Sequence, residues 1–366
     1  MQIIHKKLPL TDTSGIIYDT FTEKSIFFDI ETTGFSPGRS VLYLIGCAVR
    51  TGSSMEIWQF FSESKNEQPQ ILAGFLNLLA PYETIITFHG LGFDIPYLKA
   101  KCEEFQLEEH FDKFTYLDIY KSVSHLKFLL ALPDYKQKTV ESFLGIDRKD
   151  RCSGGDLIEV YHQYVKQPSS EAKELLLLHN YEDVIGMRAL LSVLAYEKLF
   201  QGCCRILDVH VTDDAGNPAT LCITLECRYA FPVSLQISVD GITLSLDQTS
   251  ARLSVSLFCG ELRFFYNNYR DYYYLPAEDM AIHKSVAAFV DKDFRQKAKA
   301  SNCYTRKRGR FAPQFETLFT PEFKTDYHDK KSYFELNDDF LSSGSKLHSY
   351  SGHLLSHLAA HKKARL

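Results

Sequence analysis

One tryptophan, four methionines and nine cysteines are spread thinly through this chain. Cys47, Cys102, Cys152, Cys203, Cys204, Cys222, Cys227, Cys259 and Cys303 include no CxxC pair and no Cys/His quartet at zinc spacing. That excludes a zinc finger and a disulfide scaffold, and leads us to expect reduced thiols in a cytoplasmic protein. Long apolar runs are missing too, so no membrane span is expected. The opening Met1-Gln2-Ile3-Ile4-His5-Lys6-Lys7 is too polar for the apolar core of a secretory signal. We find no internal repeat. A strong net charge is also absent. The formal value is -5, but carboxylates lean toward the first half and a basic run lies near residue 300, so a nucleic-acid partner is not excluded.

What is present is ordinary globular composition, 45% hydrophobic and 24% charged over 366 residues, long enough for two domains that each bury a core. Residues 1–21 read as a lead-in with little pattern. The run Ser25-Ile26-Phe27-Phe28-Asp29-Ile30-Glu31-Thr32-Thr33-Gly34 reads as a buried strand ending in a turn. Strand-like runs at 41–49 and 56–61 complete a three-strand meander. Helical spacing at 72–79, a β-branched strand at 84–88, a glycine turn opening a helix near Pro96, a short strand at 116–119 and helices to about residue 199 follow. Strands first, then strands and helices in alternation, predict an α/β domain over 22–200 with a mixed sheet flanked by helices. Beyond Gln201-Gly202 short β-rich runs alternate. The turns Asp213-Asp214-Ala215-Gly216-Asn217 and Val239-Asp240-Gly241 predict hairpins in a separate β-rich accessory domain over 201–345. Residues 346–366 read as a polar tail, in which His348, His353, His357 and His361 at a spacing of about four suggest one stripe on a terminal helix, either plain surface or an adventitious metal binder.

The chemistry concentrates in the first domain. Asp29 and Glu31 are two apart on a strand and should share a face. Two anions there repel each other and lose hydration, which a divalent cation between them would offset. Alternatively, they only mark a solvated strand edge. Asp94 opens a helix, where the dipole favours negative charge. His179 and Asp183 are four apart on a helix and can enter one cleft, while Tyr181, about 200° round from His179, should face elsewhere. Each of these could be structural: a helix-end charge, a packed imidazole, a solvated acid. Together they offer four carboxylates and a neutral base, the inventory that two divalent ions require for phosphodiester hydrolysis. Asp118 reads as structural, Asp156 and Glu159 as capping or flanking a helix. Lys136 and Lys138 are candidates for a phosphate backbone.

Three stretches, Phe28-Asp29-Ile30-Glu31-Thr32-Thr33-Gly34, Thr87-Phe88-His89-Gly90-Leu91-Gly92-Phe93-Asp94-Ile95-Pro96 and His179-Asn180-Tyr181-Glu182-Asp183-Val184, resemble the exonuclease motifs of the DEDD superfamily. Leu117-Asp118-Ile119-Tyr120 and Val140-Glu141-Ser142-Phe143-Leu144-Gly145-Ile146 are similar to its YprB-like bacterial branch. The similarity covers residues 22 to 195. It implies a ribonuclease H-like fold, Asp29, Glu31, Asp94 and Asp183 as ligands of two Mg2+ or Mn2+ ions, and 3′ to 5′ removal of nucleotides from single-stranded DNA or RNA. Two positions depart from the pattern. The second motif usually carries Asn where this chain has His89. In the last motif the superfamily places Tyr four residues, or His five, before the final Asp, whereas His179 stands four before.

Nucleic-acid contacts are expected from Thr32 and His89 and from Arg306, Lys307, Arg308 and Arg310 in the acid-free run 295–310, next to the tyrosine-rich stretch 266–274. The alternative there is a solvated basic loop beside a tyrosine-lined core. The functional expectation is a metal-dependent exonuclease. Its alternatives are a catalytically inactive nucleic-acid-binding module and an assembly component that recruits a protein partner.

Overall fold

The apolar run ending in Asp29 and Glu31 is a strand near the middle of a six-stranded sheet, with both faces covered. In the computed structural model, which describes residues 1–213 and 218–361, the chain divides into two units, Met1–Glu197 with Tyr229–Val233, and Lys198–Arg228 with Ser234–Leu366. Among the described residues no helix is long and apolar enough to cross a membrane.

The first unit runs through β1 (Gln2–Pro9), α1 (Ile16–Thr20), β2 (Ser25–Thr32), β3 (Leu42–Thr51), β4 (Ser54–Phe61), α2 (Gln68–Leu79), β5 (Thr84–Thr87), α3 (Asp94–Phe105), β6 (Thr115–Asp118), α4 (Ile119–His125), α5 (Lys127–Leu130), α6 (Gln137–Phe143), α7 (Gly154–Lys166), α8 (Ser170–Leu190) and the start of α9 (Leu194–Phe200). The sheet order is β1-β4-β3-β2-β5-β6. Its β1–β4, β4–β3 and β3–β2 pairs are antiparallel, and β2–β5 and β5–β6 are parallel. The expected mixed sheet is therefore present.

Ile26, Phe28 and Ile30 point to one side and pack with Ile71, Leu72 and Phe75 of α2. Each fully buried side chain of this size contributes about 1.5–3 kcal/mol. Alternation sends Asp29 and Glu31 to the other side, under α8. The residues of β3 from Leu42 to Val49 are all buried, which is why they read as one continuous apolar run. Tyr43 stacks on Tyr161 of α7 at 4.3 Å in a second core with Phe61, Leu157 and Leu176.

Two corrections to the sequence reading concern the ends of the chain. Residues 2–9, read as part of a patternless lead-in, form the edge strand β1 along β4. Only one strand borders it, so its burial is too weak to give an alternating signal, and the exposed Lys6 and Lys7, one on each face, suit an unpaired edge. Tyr181 does face away from His179, toward β1, with Lys6 over its ring at 4.3 Å. The terminal helix suggested by the histidine spacing is present from Gly344 to Ala360, but in place of a polar tail it is a packed element that buries Leu347, Tyr350, Leu354, Leu355 and Leu358. Interleaved His, Ser and Gly residues masked that apolar stripe.

The second unit contains β7 (Cys204–Thr212), β8 (Thr220–Cys227), β9 (Leu235–Val239), β10 (Ile242–Asp247), β11 (Ser250–Ser256), β12 (Phe258–Phe265), β13 (Tyr272–Leu275), β14 (Met280–His283), α10 (Lys284–Ala287), β15 (Gln296–Lys297), β16 (Tyr304–Gln314), β17 (Ser332–Glu335), α11 (Asp338–Leu341) and α12 (Gly344–Ala360). They build antiparallel sheets in the orders β7-β8-β11-β10-β9, β12-β16-β17 and β14-β13-β15. The turn at Asp240-Gly241 joins β9 to β10 as expected, with φ of 52° and 83°. Of the other expected turn, residues 214–217 lie outside the described residues.

Candidate active site

Asp29, Glu31, Asp94, His179 and Asp183 come together on the α8 side of β2. The pairing of β2 with β3 shifts register between Glu31 and Thr32, so the strand irregularity falls where the carboxylates end. Asp94, first residue of α3, accepts the Ile30 N–H at 3.1 Å. This bond ties the second motif to the first. On α8, His179 Nε2 lies 3.2 Å from Asp183 Oδ2 and 3.7 Å from Glu31 Oε1. Ligand atoms of Glu31, His179 and Asp183 all fall within 4.8 Å of one another.

The close approach of α8 depends on a glycine. Gly46 faces Asp29 across the β2–β3 pair, and a Cβ there would sit 1.9 Å from Asn180 Oδ1. With no side chain in the way, Asn180 donates to Asp29 Oδ2 at 3.1 Å and accepts from Gln59 Nε2 at 3.1 Å. Asn180 stands inside the third motif, but nothing in its local spacing assigned it this task.

The orientation of His179 comes from a residue that the sequence did not single out. Asp150 Oδ2 lies 2.6 Å from His179 Nδ1, so a proton on Nδ1 faces the carboxylate and leaves the Nε2 lone pair toward Glu31 and Asp183. Glu182 accepts the backbone N–H groups of Lys149 and Asp150 at 3.1 and 2.9 Å and so fastens that loop to α8. Burial opposes ionisation of Asp150, but hydrogen bonds from Lys138, the Cys152 N–H and His179 hold its carboxyl below the usual carboxylate range. Lys138, a candidate for phosphate contact, is instead committed to Asp150 at 2.8 Å and to the Cys152 carbonyl.

Arg148, also unassigned from sequence, forks onto Glu141 through Nε and Nη2. Its Nη1 lies 2.6 Å from Asp183 Oδ1. A Cβ on Gly186 would stand 2.1 Å from Glu141 Oε1, so this buried pair also needs a glycine on α8.

The expected structural role of Asp118 matches its contacts. Its carboxylate accepts the N–H groups of His89, Leu91 and Tyr120, clamping the second-motif turn. His89 adopts φ 68°, a left-handed conformation that Asn takes more readily than most residues. The His89 side chain is exposed and its ring meets Tyr120 edge-on at 4.6 Å. Thr32 donates its hydroxyl to the Gly34 carbonyl at 2.9 Å. Phe35, next on that loop, is 90% exposed and meets Phe93 at 5.8 Å. Asp156 completes a capping box with Ser153 at the start of α7, as its position after a chain break suggested.

The basic run is less free than its sequence implies. Arg306 pairs with Glu261 at 3.3 Å, Lys307 with Glu335 at 2.6 Å, and Arg310 with Asp213. Arg308 is exposed and has no ion pair among the described residues. The acids that pair with the run lie 28 to 97 residues away in the chain, so a local window sees only the cations. Of the neighbouring tyrosines, Tyr266 stacks on Tyr272 at 4.5 Å, Tyr273 lies under Arg295 at 4.9 Å and Tyr274 donates its hydroxyl to Asp279 at 2.6 Å.

Burial raises the Asp29 carboxyl well above its ordinary range, and the charges of Asp183, Glu31 and Asp94 add to it. Burial likewise raises Glu31, with Asp183 next. Asp94 is pushed up to about 7, chiefly by burial. Buried, mutually repelling oxygen donors fit a hard divalent cation, which would stabilise their ionised forms. In the metal-free protein the sign is fixed. Folded Asp94 binds its proton more tightly than the unfolded chain does, so its contribution to stability is full below about pH 4 and lost as pH rises through about 7. The melting temperature gained on adding Mg2+ should therefore grow between about pH 5 and 8, and Asp94→Asn should flatten that growth. A gain independent of pH in scanning calorimetry would contradict this reading of the carboxylates.

Residues 26–195 match the model of a family described as RNase_H_2, of the ribonuclease H superfamily. Several solved structures resemble parts of the chain. A family B DNA polymerase from Pyrobaculum calidifontis is 17% identical over 49% of this chain and 25% of its own, with a TM-score of 0.38. A nuclease in its apo form is 17% identical over 49% of this chain and 75% of its own, TM-score 0.33. E. coli exonuclease I in complex with a dT13 oligonucleotide is 12% identical over 55% of this chain and 54% of its own, TM-score 0.30. The chain thus spans a quarter of the polymerase and about half of the exonuclease. No curated protein matches. The family match and the mixed, helix-flanked sheet identify residues 26–195 as a ribonuclease H-like domain.

Proposed function

We propose that this protein is a metal-dependent 3′ to 5′ exonuclease of the DEDD type, acting on the ends of single-stranded DNA or RNA. The observation that carries the reading is the meeting of Glu31, His179 and Asp183 within 4.8 Å, with Asp94 and Asp183 close enough to Asp29 to raise its affinity for protons. Asp29, Glu31, Asp94 and Asp183 would hold two Mg2+ or Mn2+ ions, which supply an acidified water and stabilise the leaving oxygen. His179, its Nδ1 engaged by Asp150, offers Nε2 to orient the attacking water and take its proton. Phe35 offers an exposed ring on the loop beyond Thr32 for stacking against a terminal base. Exposed His89 and Arg308 are the freest of the proposed backbone contacts. Nine free thiols suit a reducing, cytoplasmic setting.

A second reading draws on Arg148. Its guanidinium beside Asp183 supplies the positive charge that an ion would bring, as in a domain that binds nucleic acid without cutting it. The two separate in one assay: 5′-labelled single-stranded DNA and RNA with Mg2+ or Mn2+. Stepwise shortening from the 3′ end supports the exonuclease and names the preferred sugar. Binding without shortening in either metal refutes it in favour of the inactive module.

A further inference from the structure

In the second unit, α12 carries His353 and His357 four residues apart on one face, and His361 caps the end of the helix in extended backbone. The first is already committed, because His353 Nε2 accepts the Phe315 N–H at 3.0 Å. The other two converge on Asp240. His357 Nε2 is 3.0 Å and His361 Nε2 is 3.3 Å from the same oxygen, Asp240 Oδ2. Asp240 is the first residue of the tight β9–β10 turn, and a left-handed pair, φ 52° followed by 83° at Gly241, fixes it there.

The hydrogen bonding leaves His361 Nε2 free to serve as a ligand. His361 Nδ1 lies 3.2 Å from the His357 carbonyl, which only accepts, so Nδ1 carries the proton and Nε2 of a neutral ring is bare. A bare nitrogen 3.3 Å from a carboxylate oxygen sets two lone pairs against each other. His357 can donate one proton to that oxygen, which does nothing for His361. An ion between the three atoms satisfies all of them. The separations of 3.0 and 3.3 Å are close to the edge of a tetrahedron of ligands around Zn2+, about 3.3 Å for bonds of about 2.0–2.1 Å.

We propose that Asp240, His357 and His361 form a Zn2+ site, distinct from the carboxylate centre of the first unit. Two imidazoles and one carboxylate select a borderline transition ion over Mg2+ or Ca2+. One of the two imidazoles has the outer hydrogen bond that such a ligand needs, and the other is positioned by stacking. The His361 Nδ1–H is held by a carbonyl, and the His357 ring lies flat on Phe315 with centroids 3.4 Å apart. Three protein ligands leave a fourth position open. Asp240 and His357 line a cavity of about 710 Å³ together with Lys330, Lys331 and Ser356, a lining suited to water or an anion as the last ligand.

The test is calorimetric titration of the full chain with Zn2+ in excess Mg2+, alongside Co2+ absorption spectra. The parent should bind one equivalent of Zn2+, and Co2+ should give the intense visible bands of a four-coordinate site. His361→Ala removes a ligand at the helix end, and Asp240→Asn keeps a residue that tolerates positive φ, so both should fold, as circular dichroism would verify. Each should weaken Zn2+ binding by more than the about 10–100-fold that loss of an outer contact costs. Asp29→Ala, which alters the other centre, should keep the equivalent. No Zn2+ equivalent in the parent, full binding in folded His361→Ala and Asp240→Asn, or loss of the equivalent in Asp29→Ala would each overturn the proposal.

Discussion

Asp183→Asn is expected to cut single-strand hydrolysis at least about 1000-fold while leaving the fold in place. Its carboxylate is the point where the last motif meets the others, with Oδ2 3.2 Å from His179 and Oδ1 beside Arg148. Asn keeps the shape but removes the charge that would hold an ion. Loss of an ion's stabilisation of the transition state amounts to several kcal/mol, and about 4 kcal/mol is a factor of 1000. His179→Gln should cost about 100- to 10,000-fold in kcat with KM little changed, the range for a positioned general base. Steady-state rates on an end-labelled oligonucleotide decide both. An Asp183→Asn protein within tenfold of the parent would remove the proposed centre. An unaffected His179→Gln protein would leave the carboxylates and dismiss the imidazole.

Arg148→Ala should strike stability instead. Glu141 is 1% exposed, and its charge is met by the Arg148 fork. Removing one partner of such a buried pair costs about 3–5 kcal/mol, because the remaining ion is left without compensation. At about 2–4 °C per kcal/mol for a domain of this size, the melting temperature should fall by roughly 6–20 °C. Replacing both partners, Arg148→Met with Glu141→Leu, should recover most of the loss, since no charge is then stranded. Thermal unfolding followed by circular dichroism reads the difference. A single variant that melts with the parent would show that Glu141 finds another partner or a proton.

The legible parts of the site were those written into short segments. Asp29 and Glu31 share a face because a strand repeats every two residues, and His179 and Asp183 share one because a helix repeats about every 3.6. The continuous burial of β3 and the hairpin at Asp240-Gly241 were likewise local matters of pattern and turn chemistry. Even the departures at His89 and His179 were visible as residues in unusual places.

What stayed hidden depends on separations that the chain closes only when folded. Asp150 acts on His179 from 29 residues away, Asp29 is steadied by Asn180 across 151, and Arg148 joins Glu141 to Asp183 between two helices. No short window along the sequence contains Asp150 with His179, Asn180 with Asp29 or Arg148 with Asp183. The basic run misled for the same reason, since the acids that neutralise Arg306, Lys307 and Arg310 are supplied from distant parts of the chain. By itself the sequence determined most of the strands and helices of the first unit, though not the edge strand β1, and which carboxylates lie at their ends, because side-chain period is a local property of the backbone. Only the tertiary structure decided which tautomer His179 presents, which cations are already neutralised and where Asp240 meets the histidines of α12, because hydrogen bonds and ion pairs act through space.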